Sequence, residues 1–244
     1  MKQRALLPLF ILLHFCLHAQ PEYAKIDSIA KTFEKSAYPT PDSLSRALTG
    51  LMSTDREKYR AIFTWITHNV RYDIEKYKNI EKYKPKIEAS SPEEAMQKLA
   101  EWQEKNLLRT YRQGKGICGD YSQLFNRMCI SAGLKCEIIT GDSRSSALKR
   151  RKWESHAWNA IYLDEKWHLV DATWGAGYID DDTERFKFRF SSGFFMAPPQ
   201  FFIMDHLPDK DEWQLLETPL DKGDVKRKPM VNYGHPRYAV QDLK

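Results

Sequence analysis

Three residues in this chain supply the chemistry of a nucleophile, a base and an orienting acid: Cys118, His156 and Asp171. Cys118 sits in Gly114-Lys115-Gly116-Ile117-Cys118-Gly119-Asp120-Tyr121, and an apolar-periodic run over 121–132 follows at once. The pattern predicts a Gly-rich turn feeding a helix, with the thiol in the first turn. There the positive end of the helix dipole favours the thiolate, which is the nucleophilic form. The glycines permit backbone angles that a Cβ would forbid, and they leave room for a substrate to approach. Position alone does not decide the matter, because free cysteine is among the most buried residue types.

His156 and Asp171 fall in a predicted hairpin of strands over 156–163 and 166–173. With Asp164-Glu165 as a two-residue turn, Leu163 pairs with Lys166, Trp158 stands opposite Asp171, and His156 stands opposite Thr173. His156 and Asp171 are then diagonal neighbours on one sheet face, with backbones ~7–8 Å apart. An imidazole–carboxylate hydrogen bond at that separation fixes the tautomer and orientation of the ring. A strand-end histidine or a turn aspartate is ordinary by itself. Thiolate, base and orienter together are the parts of nucleophilic acyl transfer.

The elements that must position them follow from periodicity and capping. A helix over 22–37 carries Tyr23, Ile26, Ile29, Ala30 and Phe33, and Pro39-Thr40-Pro41 breaks it. Asp42 or Ser43 caps a short helix to Leu48; Thr54 or Asp55 caps a longer one with Tyr59, Ile62, Phe63, Ile66 and Val70 on one face. Ser91-Pro92-Glu93-Glu94 opens another, reaching about Leu108, and Gly133 closes the Cys118 helix. Cys118, Ser122, Phe125 and Cys129 share a face, which places Cys129 in the core. The period then changes to two, with strands over 136–140, 156–163, 166–173 and 186–190, the last with one buried face. The segments 201–204 and 213–216 read as strands or packed loops, and 218–244 as a polar tail. Helices first and antiparallel strands later make an α+β fold.

Composition narrows the classes. A chain of 244 residues with 42% hydrophobic and 13% aromatic residues has enough material for one globular domain with a core. The net charge of +5 is mild and its charges are mixed along the chain, so it does not by itself imply nucleic acid, and no nucleic-acid partner is expected. Residues 1–19 combine Lys2 and Arg4, an apolar run, and Leu17-His18-Ala19. That is the pattern of a secretory signal peptide, so the protein is expected to be exported, periplasmic or secreted. The bulky His14-Phe15 before Cys16 argues against a lipoprotein anchor, and no other run is long enough to cross a membrane. Cleavage leaves Cys118, Cys129 and Cys136, so at least one thiol stays free or pairs between chains, and a Cys129–Cys136 disulfide stays open. There is no CxxC or zinc spacing, and Asp180-Asp181-Asp182 lacks calcium-loop spacing, so neither metal nor cofactor is expected.

The segment GKGICGDYSQLFNRM, followed by ESHAWNAIYLDEKWHLVDATWG, resembles the transglutaminase-like superfamily. The likeness extends over 55–216. It includes Tyr59 to Asp73 as a leading helix, while Phe194-Phe195, Pro199 to Ile203, His206-Leu207-Pro208 and Trp213-Gln214-Leu215-Leu216 resemble the kyphoscoliosis-type branch. The resemblance implies a papain-like fold with N-terminal helices packed on an antiparallel sheet, Cys118 as nucleophile, His156 as general base and Asp171 as orienter. It also implies acyl transfer at an amide through a thioester, on a peptide or protein substrate; with export expected from residues 1–19, the cell envelope is one source of such a substrate. The expected organisation is a signal peptide (1–19), a helical extension (20–54), a catalytic domain (55–217) and a tail (218–244).

Around this centre the Cys118 N–H is the expected oxyanion donor. Gln113 is a candidate second donor, although it stands one residue closer to the cysteine than papain-like spacing has it. Gly116, Trp158 and Trp174 are candidate substrate contacts. Arg144 and the basic run 149–152 stand just before His156, where they can guide acidic ligands or simply face solvent. Two other classes remain on the sequence alone: a non-catalytic peptide-binding module and an envelope scaffold on the same fold.

Overall fold

The computed structural model describes residues 23–144, 152–180 and 182–227. The expectations for the signal peptide, for Cys16 and for residues 149–151 of the basic run lie outside these residues. Three helices open the chain: α1 (Ala24–Lys31), α2 (Pro41–Thr49) and α3 (Asp55–Asn69). The cap of α2 is Thr40 rather than Asp42 or Ser43. Thr40 is extended, its hydroxyl accepts the Ser43 N–H, and Pro41 takes the first helical position, where it has no N–H to leave unsatisfied. Thr54 and Glu57 form the capping box of α3.

Next come β1 (Arg71–Tyr72), α4 (Ile74–Lys78), α5 (Ile80–Tyr83), α6 (Pro92–Gln113), β2 (Lys115–Gly116) and α7 (Cys118–Ser131). Helix α6 runs a turn past the expected Leu108, with Leu107, Thr110 and Tyr111 buried, and stops at Gly114, which is left-handed at φ 60°.

The second half is β3 (Cys136–Ser143), β4 (Glu154–Leu163), β5 (Lys166–Val170), α8 (Ala172–Ala176), β6 (Gly177–Asp180), β7 (Arg185–Phe188), β8 (Phe195–Ala197), α9 (Pro199–Phe202), β9 (His206–Pro208) and α10 (Lys222–Arg227). Five strands form one antiparallel sheet in the order β8-β5-β4-β3-β9. The fold is α+β, as expected.

Helices α3 and α7 pack against each other and both meet β4. Tyr59, Ile62, Phe63 and Ile66 of α3 meet Tyr121, Leu124, Phe125 and Met128 of α7 and Trp158 and Ile161 of β4 in one core. Helix α1 packs on α3, where Arg60 Nε bonds Asp27 Oδ1 at 2.7 Å and the guanidinium lies over Tyr23 at 4.6 Å. Cys129 is fully buried, and Cys118, Cys129 and Cys136 are all free thiols.

Two expectations are corrected. Strand β5 ends at Val170, so Thr173 is not paired with His156; it lies in α8, whose first turn is capped by Asp171. Residues 186–190 do not join the main sheet. Phe186 belongs to β7, which pairs only with β6 in a separate hairpin, and Phe188 is 55% exposed. Within the polar tail, Val225 of α10 is fully buried and packs with Ile203 and Leu207.

Candidate active site

Cys118 is the first residue of α7, and the turn before it is held by a buried polar cluster. Asp120 accepts the Ile117 N–H at 2.8 Å, which satisfies one of the free donors of the helix start. Asp120 also binds Lys76 Nζ of α4 at 2.7 and 2.8 Å and Asn106 Nδ2 of α6 at 2.6 Å. Lys76 and Asp120 are both buried. Gly116 has a packing reason: a Cβ there would lie 2.6 Å from Asp120 Cβ. A Cβ on Gly119 would meet nothing within 4 Å.

The base side is built on β4. The Asp164-Glu165 turn has φ of 51° and 62°, both positive as a type I′ hairpin turn requires, and Leu163 pairs with Lys166 as expected. That register brings Asp171 to the end of β5, next to His156. His156 Nε2 lies 2.7 Å from Asp171 Oδ2. The other carboxylate oxygen, Oδ1, accepts the N–H groups of Thr173 at 2.7 Å and Trp174 at 3.0 Å. One aspartate therefore caps α8 and orients the histidine.

Asn159, three residues along β4, donates to Ser122 O of α7 at 3.1 Å and to Glu137 O of β3 at 3.2 Å, tying the cysteine helix to the histidine strand. Tyr77 of α4 donates to Glu154 at 2.7 Å, a second link from the cysteine side to the start of β4.

The charges follow from these contacts. Burial raises the Cys118 thiol, but the hydrogen bond and charge of His156, with the Ala157 N–H, outweigh it and hold the thiol below its ordinary value. Burial disfavours a charged His156, yet the charge and hydrogen bond of Asp171, joined by Cys118, push the ring up to about 10. Burial also works against the Asp171 carboxylate, and the two histidines around it hold it well below the carboxylate range. The arrangement favours a thiolate–imidazolium pair with a charged orienter behind it.

Trp158 is buried and lies 6.0 Å from the His156 ring. Trp174 is half-buried and lies 5.8 Å from that ring. Gln113 ends α6 and is exposed. Arg144 is buried, donates to Met204 O at 3.1 and 3.2 Å, and lies over Trp153 at 4.8 Å.

Sequence reasoning gave no role to His206. Its Nε2 lies 3.0 Å from the same Asp171 Oδ2, and its Nδ1 lies 2.6 Å from Asp205 Oδ1. A three-residue strand on the sheet edge has no periodic signal; the only hint was His206-Leu207-Pro208 among the likenesses to the kyphoscoliosis-type branch. His156, Asp171 and His206 also present three possible metal-ligand atoms within 4.8 Å of one another, but here these atoms are engaged in hydrogen bonds among themselves.

Residues 42–172 match the transglutaminase-like superfamily. The chain belongs to that superfamily. Kyphoscoliosis peptidase of Mus musculus is 37% identical over 172 residues, which is 68% of this chain and 23% of the relative. The Homo sapiens protein of that name is 35% identical over 204 residues, 81% of this chain and 27% of the relative. The chain thus spans about a quarter of the length of these relatives. A solved TGase structure is 17% identical with a TM-score of 0.36, covering 66% of this chain and 35% of that one.

Proposed function

We propose that this member of the transglutaminase-like superfamily is an exported cysteine enzyme that cleaves or transfers acyl groups at amide bonds of a peptide or protein. The observation that carries the reading is the 2.7 Å bond from His156 Nε2 to Asp171, which leaves Nδ1 for the thiol on the first turn of α7. In this reading Cys118 Sγ attacks the amide carbonyl carbon, and the developing oxyanion takes the Cys118 N–H. His156 gives its Nδ1 proton to the leaving nitrogen as the C–N bond breaks, leaving a thioester. Water or an amine, losing a proton to His156, then displaces the thiolate.

The peptidase name of the mouse and human relatives favours water as the acceptor and a peptide as substrate. Export rests on the basic start and apolar run of residues 1–19, and it makes envelope peptides the first substrates to try. Among the described residues no helix is long and apolar enough to cross a membrane.

Labelling with an iodoacetamide probe tests the reading. Cys118 should alkylate well above the rate of Cys129 and Cys136 at neutral pH, and a peptide panel with and without added amine should separate hydrolysis from transfer. A Cys118 that reacts like an ordinary thiol and turns over nothing in the panel would return the fold to a binding role.

A further inference from the structure

His206 stands outside the line from Cys118 to Asp171, yet its geometry is as tight as that line. Both ring nitrogens face a carboxylate oxygen: Nδ1 faces Asp205 at 2.6 Å and Nε2 faces Asp171 at 3.0 Å. An ionised carboxylate can only accept, and a neutral imidazole has one donor nitrogen and one acceptor. Asp171 is held as a carboxylate, so His206 Nε2 is the donor to it, and the Asp205 contact fixes the rotation of the ring.

The surroundings hold the ring in place. His206 is fully buried, stacked on Phe202 at 3.8 Å, with Trp174 at 4.4 Å and Trp158 at 5.3 Å. Its strand reaches the sheet at Gly141, where a Cβ would lie 2.2 Å from Leu207 O and 2.8 Å from the Trp158 ring. Any larger residue at position 141 would push β9, and His206 with it, away from Asp171. The charged groups facing the ring are Asp205 beside it, Asp171 from the β5–α8 junction and His156 from β4, whose ring is 5.4 Å away. Behind Asp205 stands Arg144, just past β3, which feels the Asp205 charge and whose backbone N–H donates to the Asp205 carbonyl.

We propose that His206, backed by Asp205, is a positioning residue for the catalytic histidine: it pins Asp171 Oδ2 and shares that oxygen's charge with His156. The inference rests on the proposed acyl-transfer role of His156. Facing Asp171 alone, His156 would be held more firmly as an imidazolium and would release its proton to the leaving nitrogen less readily. A general acid works best when its proton affinity lies near the working pH, so dividing the carboxylate between two rings assists the step. His156, Asp171, His206 and Asp205 then form one line, with Asp171 accepting from both rings, running from the thiol to the edge of the sheet.

Two isosteric or near-isosteric variants test this, His206→Gln and Asp205→Asn, with Cys118 alkylation and turnover followed against pH. The limb that reports loss of the His156 proton should move to higher pH in both variants, by about one unit, a tenfold change in that equilibrium. The loss of turnover should appear in kcat with KM little changed. Ring 15N spectra of the native-sequence protein supply a readout independent of activity and of any variant's folding: His206 Nε2 should carry hydrogen, as the donor to Asp171. A His206 whose Nε2 carries none would overturn the proposal. So would variants that melt earlier while their pH limbs stay where they were, since that is the signature of packing alone. A Cys118 with ordinary reactivity and no turnover would instead defeat the acyl-transfer reading, and the 15N pattern would still report on the His206 bonds.

Discussion

Raising the pH should weaken this fold through one side chain, His156. Its ring is buried and bonded to Asp171 at 2.7 Å, and the charge of Asp171 pushes it up to about 10. In the unfolded chain the same ring titrates near ~6.5. A group raised on folding adds stability that is complete below the unfolded value and disappears as pH climbs through the folded one. Asp171 has the opposite sign: it is depressed, so its contribution is present above ~3.9 and fades as pH falls towards its folded value. The pair therefore stabilises most between about pH 4 and 6.5. At about 1.36 kcal/mol per unit, the gap between ~6.5 and about 10 bounds the His156 effect at about 5 kcal/mol. Part of that is attraction to the Cys118 thiolate, which grows as the thiol ionises, so a loss on the order of 3 kcal/mol by about pH 9.5 is expected. The assay is urea unfolding of the wild type and His156→Gln at several pH values. Glutamine keeps a donor for Asp171 but does not titrate, so the difference between the two proteins removes the common background of lysines and tyrosines. Two midpoint curves running parallel from about pH 6 to 9.5 would refute the reasoning, because no buried imidazolium would then be at stake.

Three further outcomes follow from the same geometry. Asp171→Ala removes the cap of α8 and strands two buried imidazoles, so it should cost about 3–5 kcal/mol in denaturant unfolding, whereas Asp171→Asn keeps Oδ1 for the cap and should fold while losing roughly 100-fold or more in turnover. Lys76→Met leaves Asp120 buried without its cation, and a destabilisation of about 3–5 kcal/mol should come with slower Cys118 alkylation, because Asp120 also holds the Ile117 N–H. Cys129→Ala should leave the Cys118 alkylation profile unchanged, since the thiol is fully buried with its ionisation pushed up by burial, and its cost should show only in the unfolding midpoint.

The parts of the site legible in the sequence were those with a local code. Cys118 announces itself by the glycines before it and the periodic helix after it, and α7 begins at that residue. The Leu163–Lys166 pairing was readable because a two-residue turn fixes register once its position is known, even with Asp164 and Glu165 standing where glycine or asparagine is usual. The position of Asp171 followed from that register, but its conformation did not. Val170-Asp171-Ala172-Thr173 continues the alternation of a strand, while the Asp171 side chain offers the Thr173 and Trp174 N–H groups a better partner than a ladder can. Local capping ended the strand where hydrophobic alternation would have extended it.

What escaped the sequence was set by long-range packing. Lys76, Asn106 and Asp120 meet from α4, α6 and α7, and the charges of Lys76 and Asp120 look like ordinary solvated residues until the three helices close around them. His206 is further still, 35 residues beyond the carboxylate it binds and on a strand of three. Its place depends on Gly141 letting β9 approach and on Phe202 and Trp174 enclosing the ring, which are contacts between elements and leave no periodic trace in any one of them. The aspartate that sequence spacing assigned to one histidine serves two. A carboxylate shared in this way is held from more sides than a hairpin alone could hold it: by the α8 amides on Oδ1, by β4 and β9 on Oδ2, and by the Asp171 N–H bonded to Phe194 O at 2.9 Å. Each contact removes a rotation the side chain would otherwise have, so Asp171 is held in the one orientation that its bond to His156 uses.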